Sequence, residues 1–143
     1  MGTIESHDAE ALPDNLVELS RQIATEAHKG QHRRDGATPY IEHPAAVVSR
    51  APKSPLAQAA AWLHDVLEDT KLTRSDLLDR GVPESVVCAV EALTKKKGLS
   101  YEENLRRAAS NELARGVKIA DIDDLEVMRN KEAVPATTVL TAP

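Results

Sequence analysis

His64 and Asp65 are adjacent, and Glu68 and Asp69 follow one turn later, in the stretch Ala61-Trp62-Leu63-His64-Asp65-Val66-Leu67-Glu68-Asp69-Thr70. An imidazole nitrogen beside carboxylate oxygens is a donor set for a divalent cation, and a neighbouring carboxylate can take a proton from water. If the stretch is one helix at about 100° per residue, Glu68 lies about 40°, Asp65 about 100° and Asp69 about 140° round from His64, so the four share one face. Leu56, Ala59, Ala60, Leu63, Val66 and Leu67 form the opposite, packing stripe. A solvated face on an amphipathic helix also accounts for the pattern. Against it stands charge: no Lys or Arg shares that face, and like charges at helical spacing repel. A divalent cation relieves that repulsion.

One His-Asp pair supplies too few ligands. His43 in Tyr40-Ile41-Glu42-His43-Pro44 and Asp121 in Gly116-Val117-Lys118-Ile119-Ala120-Asp121-Ile122 each interrupt an apolar pattern with a donor. Taken singly, a helix cap for His43 and a surface acid for Asp121 are the stronger descriptions. Added to His64 and Asp65 they make a mixed nitrogen and oxygen set that suits Mn²⁺, Fe²⁺ or Zn²⁺ better than Ca²⁺. Spacing alone does not bring such distant residues together.

The elements that must position these groups all read as helices. Pro13-Asp14 opens a helix with apolar positions at Leu16, Leu19, Ile23, Ala24 and Ala27, which Gly30 ends. A basic, turn-rich loop, GQHRRDGATP, precedes a short helix from His43-Pro44 to Arg50. Ser54-Pro55 starts the helix with the His-Asp pair; Thr73 to Asp76 resembles a capping box, and its helix stops at Gly81. Pro83 to Leu93 is a further helix, followed by the loop KKKG; Ser100-Tyr101-Glu102-Glu103 is a full capping box leading a helix to Ser110. The last helix spans Glu112 to Asn130. With no convincing strand and no repeat, the expected fold is all-α, a single-domain helical bundle over residues 14–130, between a lead-in (1–13) and a tail (131–143).

Composition limits the partners. The net charge of -5 argues against a general nucleic-acid binder. No basic start precedes an apolar stretch, and no segment is long enough to span a bilayer, so a cytoplasmic chain with no membrane partner is expected; a homo-oligomer is compatible with this. The single cysteine, Cys88, lies in an apolar run and reads as a buried, inert thiol.

Four separated motifs, H-x-G-Q (His28 to Gln31), P-Y-I-x-H-P (Pro39 to Pro44), H-D-x-x-E-D-T (His64 to Thr70) and V-K-x-A-D (Val117 to Asp121), occur in the order of the HD-domain phosphohydrolases. Within these the chain most resembles the stand-alone alarmone hydrolases related to the hydrolase domain of RelA/SpoT proteins, over about Asn15 to Leu125. The resemblance implies an all-α fold of the HD-domain type. It implies one divalent cation, usually Mn²⁺, held by His43, His64, Asp65 and Asp121, where it acidifies water and shields phosphate. Glu68 and Asp69 would position or deprotonate that water, Glu68 being the stronger candidate. Arg33 and Arg34 would meet substrate phosphate, with Lys29 a further candidate, Tyr40 a wall or stacking surface for the nucleoside, and Lys118 a partner for carboxylate or phosphate.

The last motif departs from its relatives. They continue as A-D-x-x-x-N or A-D-x-x-D-N-L, whereas this chain reads Ala120-Asp121-Ile122-Asp123-Asp124-Leu125: Leu125 replaces the Asn, or one residue is missing before it. Asp124 is expected to take over the lost polar contact to substrate. The implied activity is hydrolysis of guanosine tetra- or pentaphosphate at the 3′-pyrophosphate, giving GDP or GTP, with no room in this length for a synthetase domain. Two alternatives remain: an HD hydrolase of another phosphorylated nucleotide such as NADPH or a nucleoside phosphate, and a non-catalytic nucleotide-binding domain.

Overall fold

The computed structural model describes residues 13–133. These form eight helices: α1 Leu16–Ala27, α2 Glu42–Arg50, α3 Pro55–Leu63, α4 Val66–Asp69, α5 Arg74–Asp79, α6 Glu84–Leu93, α7 Tyr101–Ala109 and α8 Glu112–Ala133. Among the described residues there is no strand, only an isolated antiparallel bridge between His32 and Pro39. The lead-in before residue 13 and the tail beyond residue 133 lie outside the described residues, and α8 runs to Ala133 rather than Asn130.

The bundle is organised round α3, which packs against α1, α2, α6 and α8. Its sequence explains this position: Ala57, Ala59, Ala60 and Ala61 are all buried, on every side of the helix, so neighbouring backbones come close. Val47 of α2, Ile23 of α1, Val86, Val87 and Val90 of α6 and Val117 of α8 fill the spaces between them. Alanine and β-branched residues do the packing that aromatic rings do in most cores.

Local signals set where each helix begins. The Ser54 hydroxyl accepts from the Ala57 N–H, with Pro55 at the first turn, and both capping boxes, Thr73 with Asp76 and Ser100 with Glu103, are formed reciprocally. Gly30, at a φ of 87°, turns the chain out of α1 into the basic loop. At Gly116, a Cβ would meet Pro52 Cγ at 3.0 Å, so the absence of a side chain lets α8 lie directly on the α2–α3 link. That close approach brings α8 beside α2 and α3.

The expected continuous helix through the His-Asp pair is not observed. α3 stops at Leu63, His64 and Asp65 form a turn, and α4 starts afresh at Val66. His64 Nδ1 donates to the Ala61 carbonyl at 2.8 Å, and Asp65 leaves helical geometry with φ -105° and ψ 0°. The stretch is therefore two helices with a polar corner. Cys88 is half-buried rather than buried, and is a free thiol.

Because the Ser54 cap holds the start of the central helix, Ser54→Ala is expected to cost about 1 kcal/mol of stability. Urea denaturation with an unchanged m-value measures it; an unchanged midpoint would show that the cap contributes nothing.

Candidate metal centre and active site

The corner after α3, the first turn of α2 and the middle of α8 meet at one point. His43 Nε2 lies 2.8 Å from Asp121 Oδ1 and 3.3 Å from His64 Nε2; His64 Nε2 lies 3.4 Å from Asp121 Oδ1. Asp65 Oδ2 completes the group, 3.1 Å from His64 Nε2 and 3.8 Å from His43 Nε2. His43, His64 and Asp121 thus offer donor atoms that all lie within 4.8 Å of one another, in a group that could hold a metal ion. Donors bonded at roughly 2.0–2.2 Å to a common cation stand about 3–3.5 Å apart along the edges of its coordination shell. The observed separations are close to those edges, and two imidazoles with two carboxylates form a donor set for Mn²⁺, Fe²⁺ or Zn²⁺, so the residues fit a divalent cation.

Each candidate ligand has a further contact. The Ala61 carbonyl takes the proton of His64 Nδ1, which leaves Nε2 facing the cluster. The hydroxyl of Tyr40 donates to Asp65 Oδ2. Lys118 Nζ lies 3.4 Å from Asp121 Oδ2. His28, which is buried, contacts Gln31 Oε1 through Nδ1 at 2.9 Å, and Gln31 Nε2 donates to the Asp69 carbonyl at 3.0 Å, tying the H-x-G-Q segment to α4.

The electrostatics follow from crowding acids and imidazoles in a buried place. Burial by itself pulls His64 down, but the Asp65 charge and hydrogen bonds to Asp121 and Asp65 drive it well above its usual value. Asp65 is resisted by burial yet lowered to about 2 by His64 and Tyr40; Asp121 is lowered too, against burial, by His43 and His64. Asp69 moves the other way, raised by partial burial and by the charges of Asp65 and Glu68.

Two adjoining cavities open onto the cluster, sharing Tyr40, His43 and Leu125 in their walls. One, of about 220 Å³, contains the four donors with Glu68, Asp69, Lys95 and Lys118. The other, of about 310 Å³, is walled by Arg33, Arg34, Met128 and Arg129. Glu68 is fixed at its rim by the Lys95 N–H, which donates to Oε1 at 3.1 Å.

Several expected substrate contacts are placed differently. Lys29 is exposed and lines neither cavity, whereas the preceding His28 is buried. Arg33 is largely buried and paired with Asp124, NH2 to Oδ2 at 2.9 Å. Asp124 itself is 3% exposed and lies on His43 Nδ1 at 2.7 Å, behind the cluster rather than in a cavity wall. α8 is continuous here, so Leu125, four residues after Asp121, occupies the place that A-D-x-x-x-N gives to its amide, and it faces both cavities.

Sequence reasoning did not single out Lys95, Met128 or Arg129 as site residues. Lys95 acts on Glu68 through its backbone, which no side-chain pattern reports. Arg129 and Met128 reach the second cavity because α8 continues straight past Asp121; two turns of the same helix face carry the signal.

The HD domain family profile matches residues 20–135. The bifunctional (p)ppGpp synthase/hydrolase SpoT of Escherichia coli (strain K12) is 34% identical over 128 residues, covering 85% of this chain and 18% of that protein. A guanosine-3′,5′-bis(diphosphate) 3′-pyrophosphohydrolase of Haemophilus influenzae is 38% identical over 114 residues, covering 78% of this chain and 16% of its own length. The chain therefore spans less than a fifth of these curated relatives. A solved structure, of a metazoan ortholog of SpoT that hydrolyzes ppGpp and plays a role in starvation responses, superposes with a TM-score of 0.67 at 29% identity, covering 82% of this chain and 74% of that one.

The pKa shifts fix the pH dependence of the metal-free protein. Asp65 is lowered from 3.8 to about 2, so its contribution is present above its unfolded value and lost as the pH falls through the folded one. His64 is raised above 6.5, so its contribution is complete below that value and lost as the pH rises through the folded one. With chelator present, the denaturation midpoint is expected to be highest between about pH 4 and 6.5 and to fall on both sides. A midpoint flat from acid to alkali would contradict this charge arrangement.

Proposed function

The chain belongs to the HD domain family, and on that premise we propose that it hydrolyses guanosine tetra- or pentaphosphate at the 3′-pyrophosphate, with Mn²⁺ as the cation. The observation that carries the proposal is the meeting of His43, His64, Asp65 and Asp121 at the junction of a carboxylate-lined and an arginine-lined cavity. Relatives and a structural neighbour described as (p)ppGpp hydrolases support the choice of substrate. When bound, the cation supplies Lewis acidity: it makes water more acidic and offsets charge on the attacked phosphate.

The protein's own groups do the rest. Glu68 and Asp69 face the cavity one turn beyond Asp65, where they orient water and accept its proton; the Lys95 N–H keeps Glu68 in place, and the raised proton affinity of Asp69 suits it to the same task. Water oxygen bonds to the phosphorus next to the ribose 3′ oxygen, the bond from that phosphorus to the 3′ oxygen breaks, and a proton returns to that oxygen, giving GDP or GTP and pyrophosphate. Arg34 and Arg129 on one side and Lys95 and Lys118 on the other supply positive charge for a substrate with phosphates at both ends of its ribose. Tyr40, between the two cavities, is a wall for the nucleoside. A nucleotide substrate of this kind supports a cytoplasmic location.

Leu125 favours a second reading. An apolar side chain in both cavity walls, where relatives carry an amide, removes a hydrogen-bond partner for the nucleotide and supports an HD hydrolase of another phosphorylated nucleotide. A panel of ppGpp, NADPH and nucleoside phosphates, assayed with Mn²⁺ for released phosphate and pyrophosphate, separates the two.

With ppGpp and Mn²⁺ the wild-type protein is expected to release pyrophosphate, and Asp65→Ala to release none. No release by the wild type, where a SpoT-type hydrolase works, would sink the proposal. Glu68→Gln is expected to lower kcat by about 10²–10⁴-fold, with little change in KM. Arg34→Ala should raise KM while leaving kcat nearly intact, measured by steady-state kinetics.

A further inference from the structure

We infer that Asp124 is a positioning residue for the metal centre, the carboxylate that sets the tautomer and orientation of His43. The inference rests on the metal part of the proposed function and is independent of which nucleotide is hydrolysed.

His43 has two contacts at its rear nitrogen. Asp124 Oδ2 lies 2.7 Å from Nδ1, and Arg33 NH2 lies 3.4 Å from it. A guanidinium has only donors and a carboxylate only acceptors, so Nδ1 either donates to Asp124 or accepts from Arg33. The short contact decides for Asp124, since a separation near 2.7 Å is typical of a charge-assisted bond and 3.4 Å is close to no bond. Nδ1 therefore donates to Asp124, and Nε2 is the nitrogen that faces the cluster, where a bound cation would take the place of its contact to Asp121 Oδ1, the arrangement that a metal-ligating imidazole requires.

The pair is built to keep that proton there. Asp124 is buried, and burial opposes its charge, yet its carboxyl is lowered by the hydrogen bonds from His43 and Arg33. Arg33, 2.9 Å away, and Arg50, 3.8 Å away, neutralise it, so an ionised carboxylate is available at a place where an isolated one would be costly. Asp121 and Asp124, three residues apart on α8, close on opposite nitrogens of one ring, at 2.8 and 2.7 Å. His64 achieves the same tautomer more simply, through the Ala61 carbonyl.

Calorimetric titration of Mn²⁺ into chelator-treated protein tests this without substrate. Asp124→Ala is expected to weaken Mn²⁺ affinity by about 10–100-fold, and Asp124→Asn, which keeps an oxygen acceptor without the charge, to fall between it and the wild type. Unchanged Mn²⁺ affinity in both variants, even with a lowered melting temperature, would overturn the inference and leave the hydrolase proposal standing. No Mn²⁺ binding by the wild type would overturn both. A second measurement needs no variant: in Zn²⁺-loaded wild-type protein, the ¹⁵N shifts of the His43 ring should report a protonated Nδ1. A ring protonated elsewhere, or bare at Nδ1, would overturn the inference on its own.

Discussion

His43 is gripped at both ring nitrogens by one helix, and the arrangement of the site depends on that grip. Asp121 and Asp124 stand on neighbouring turns of α8, His43 in the first turn of α2, and the ring between them joins the two helices through contacts of 2.8 and 2.7 Å. Removing one partner from a buried pair of this kind typically costs about 3–5 kcal/mol, because the other charge is left unpaired. The same ring meets His64 edge-on at 5.1 Å and Tyr40 at 5.8 Å, so α3 and the basic loop are registered against it as well. Each element reaches the centre by a different route: α8 by lying close on Pro52 at Gly116, α3 by its alanines, α2 by its buried Pro44 and Val47.

Such a concentration of acids is unfavourable unless something opposes it. In the protein alone that opposition comes from protons and cations: a His64 held well above its usual value, Tyr40 donating to Asp65, Lys118 near Asp121, and Arg33 with Asp124. A divalent cation would displace protons from the imidazoles and take over the same neutralising work at the centre. The front of the cluster is therefore held by groups that a cation can replace, and the rear by groups that it cannot. That division keeps the ligand geometry in place without the metal.

What could be read in the sequence follows from how local each determinant is. The Ser54 cap, the capping boxes at Thr73 and Ser100 and the turn at Gly30 are all decided within a few residues, and each is found where its pattern stands. The break at His64 was not legible. Every residue around it favours helix, and the interruption comes from an imidazole that bonds back to the Ala61 carbonyl because its other nitrogen is claimed by α2 and α8. The Arg33–Asp124 pair spans 91 residues, and the Glu68 anchor is a backbone N–H, so neither leaves a pattern. Lys29 is exposed beside the buried His28, and no spacing in the sequence reports that.

The departure at the end of the last motif stands next to a carboxylate that the pattern A-D-x-x-D-N-L shares, and the two positions face different ways. At the position four residues after Asp121, a polar amide has given way to Leu125, which presents an apolar wall to both cavities. That side chain offers neither cavity a hydrogen bond. One residue earlier, a carboxylate faces the opposite way and bonds to the rear of His43. The same turn of α8 thus presents Leu125 to the cavities and Asp124 to the rear of His43. Arg33, paired with that buried carboxylate at 2.9 Å, has less of its fork free to face the cavity. The cationic groups left facing the cavities, Arg34 and Arg129 on one side and Lys95 and Lys118 on the other, are mounted on different elements and at the periphery.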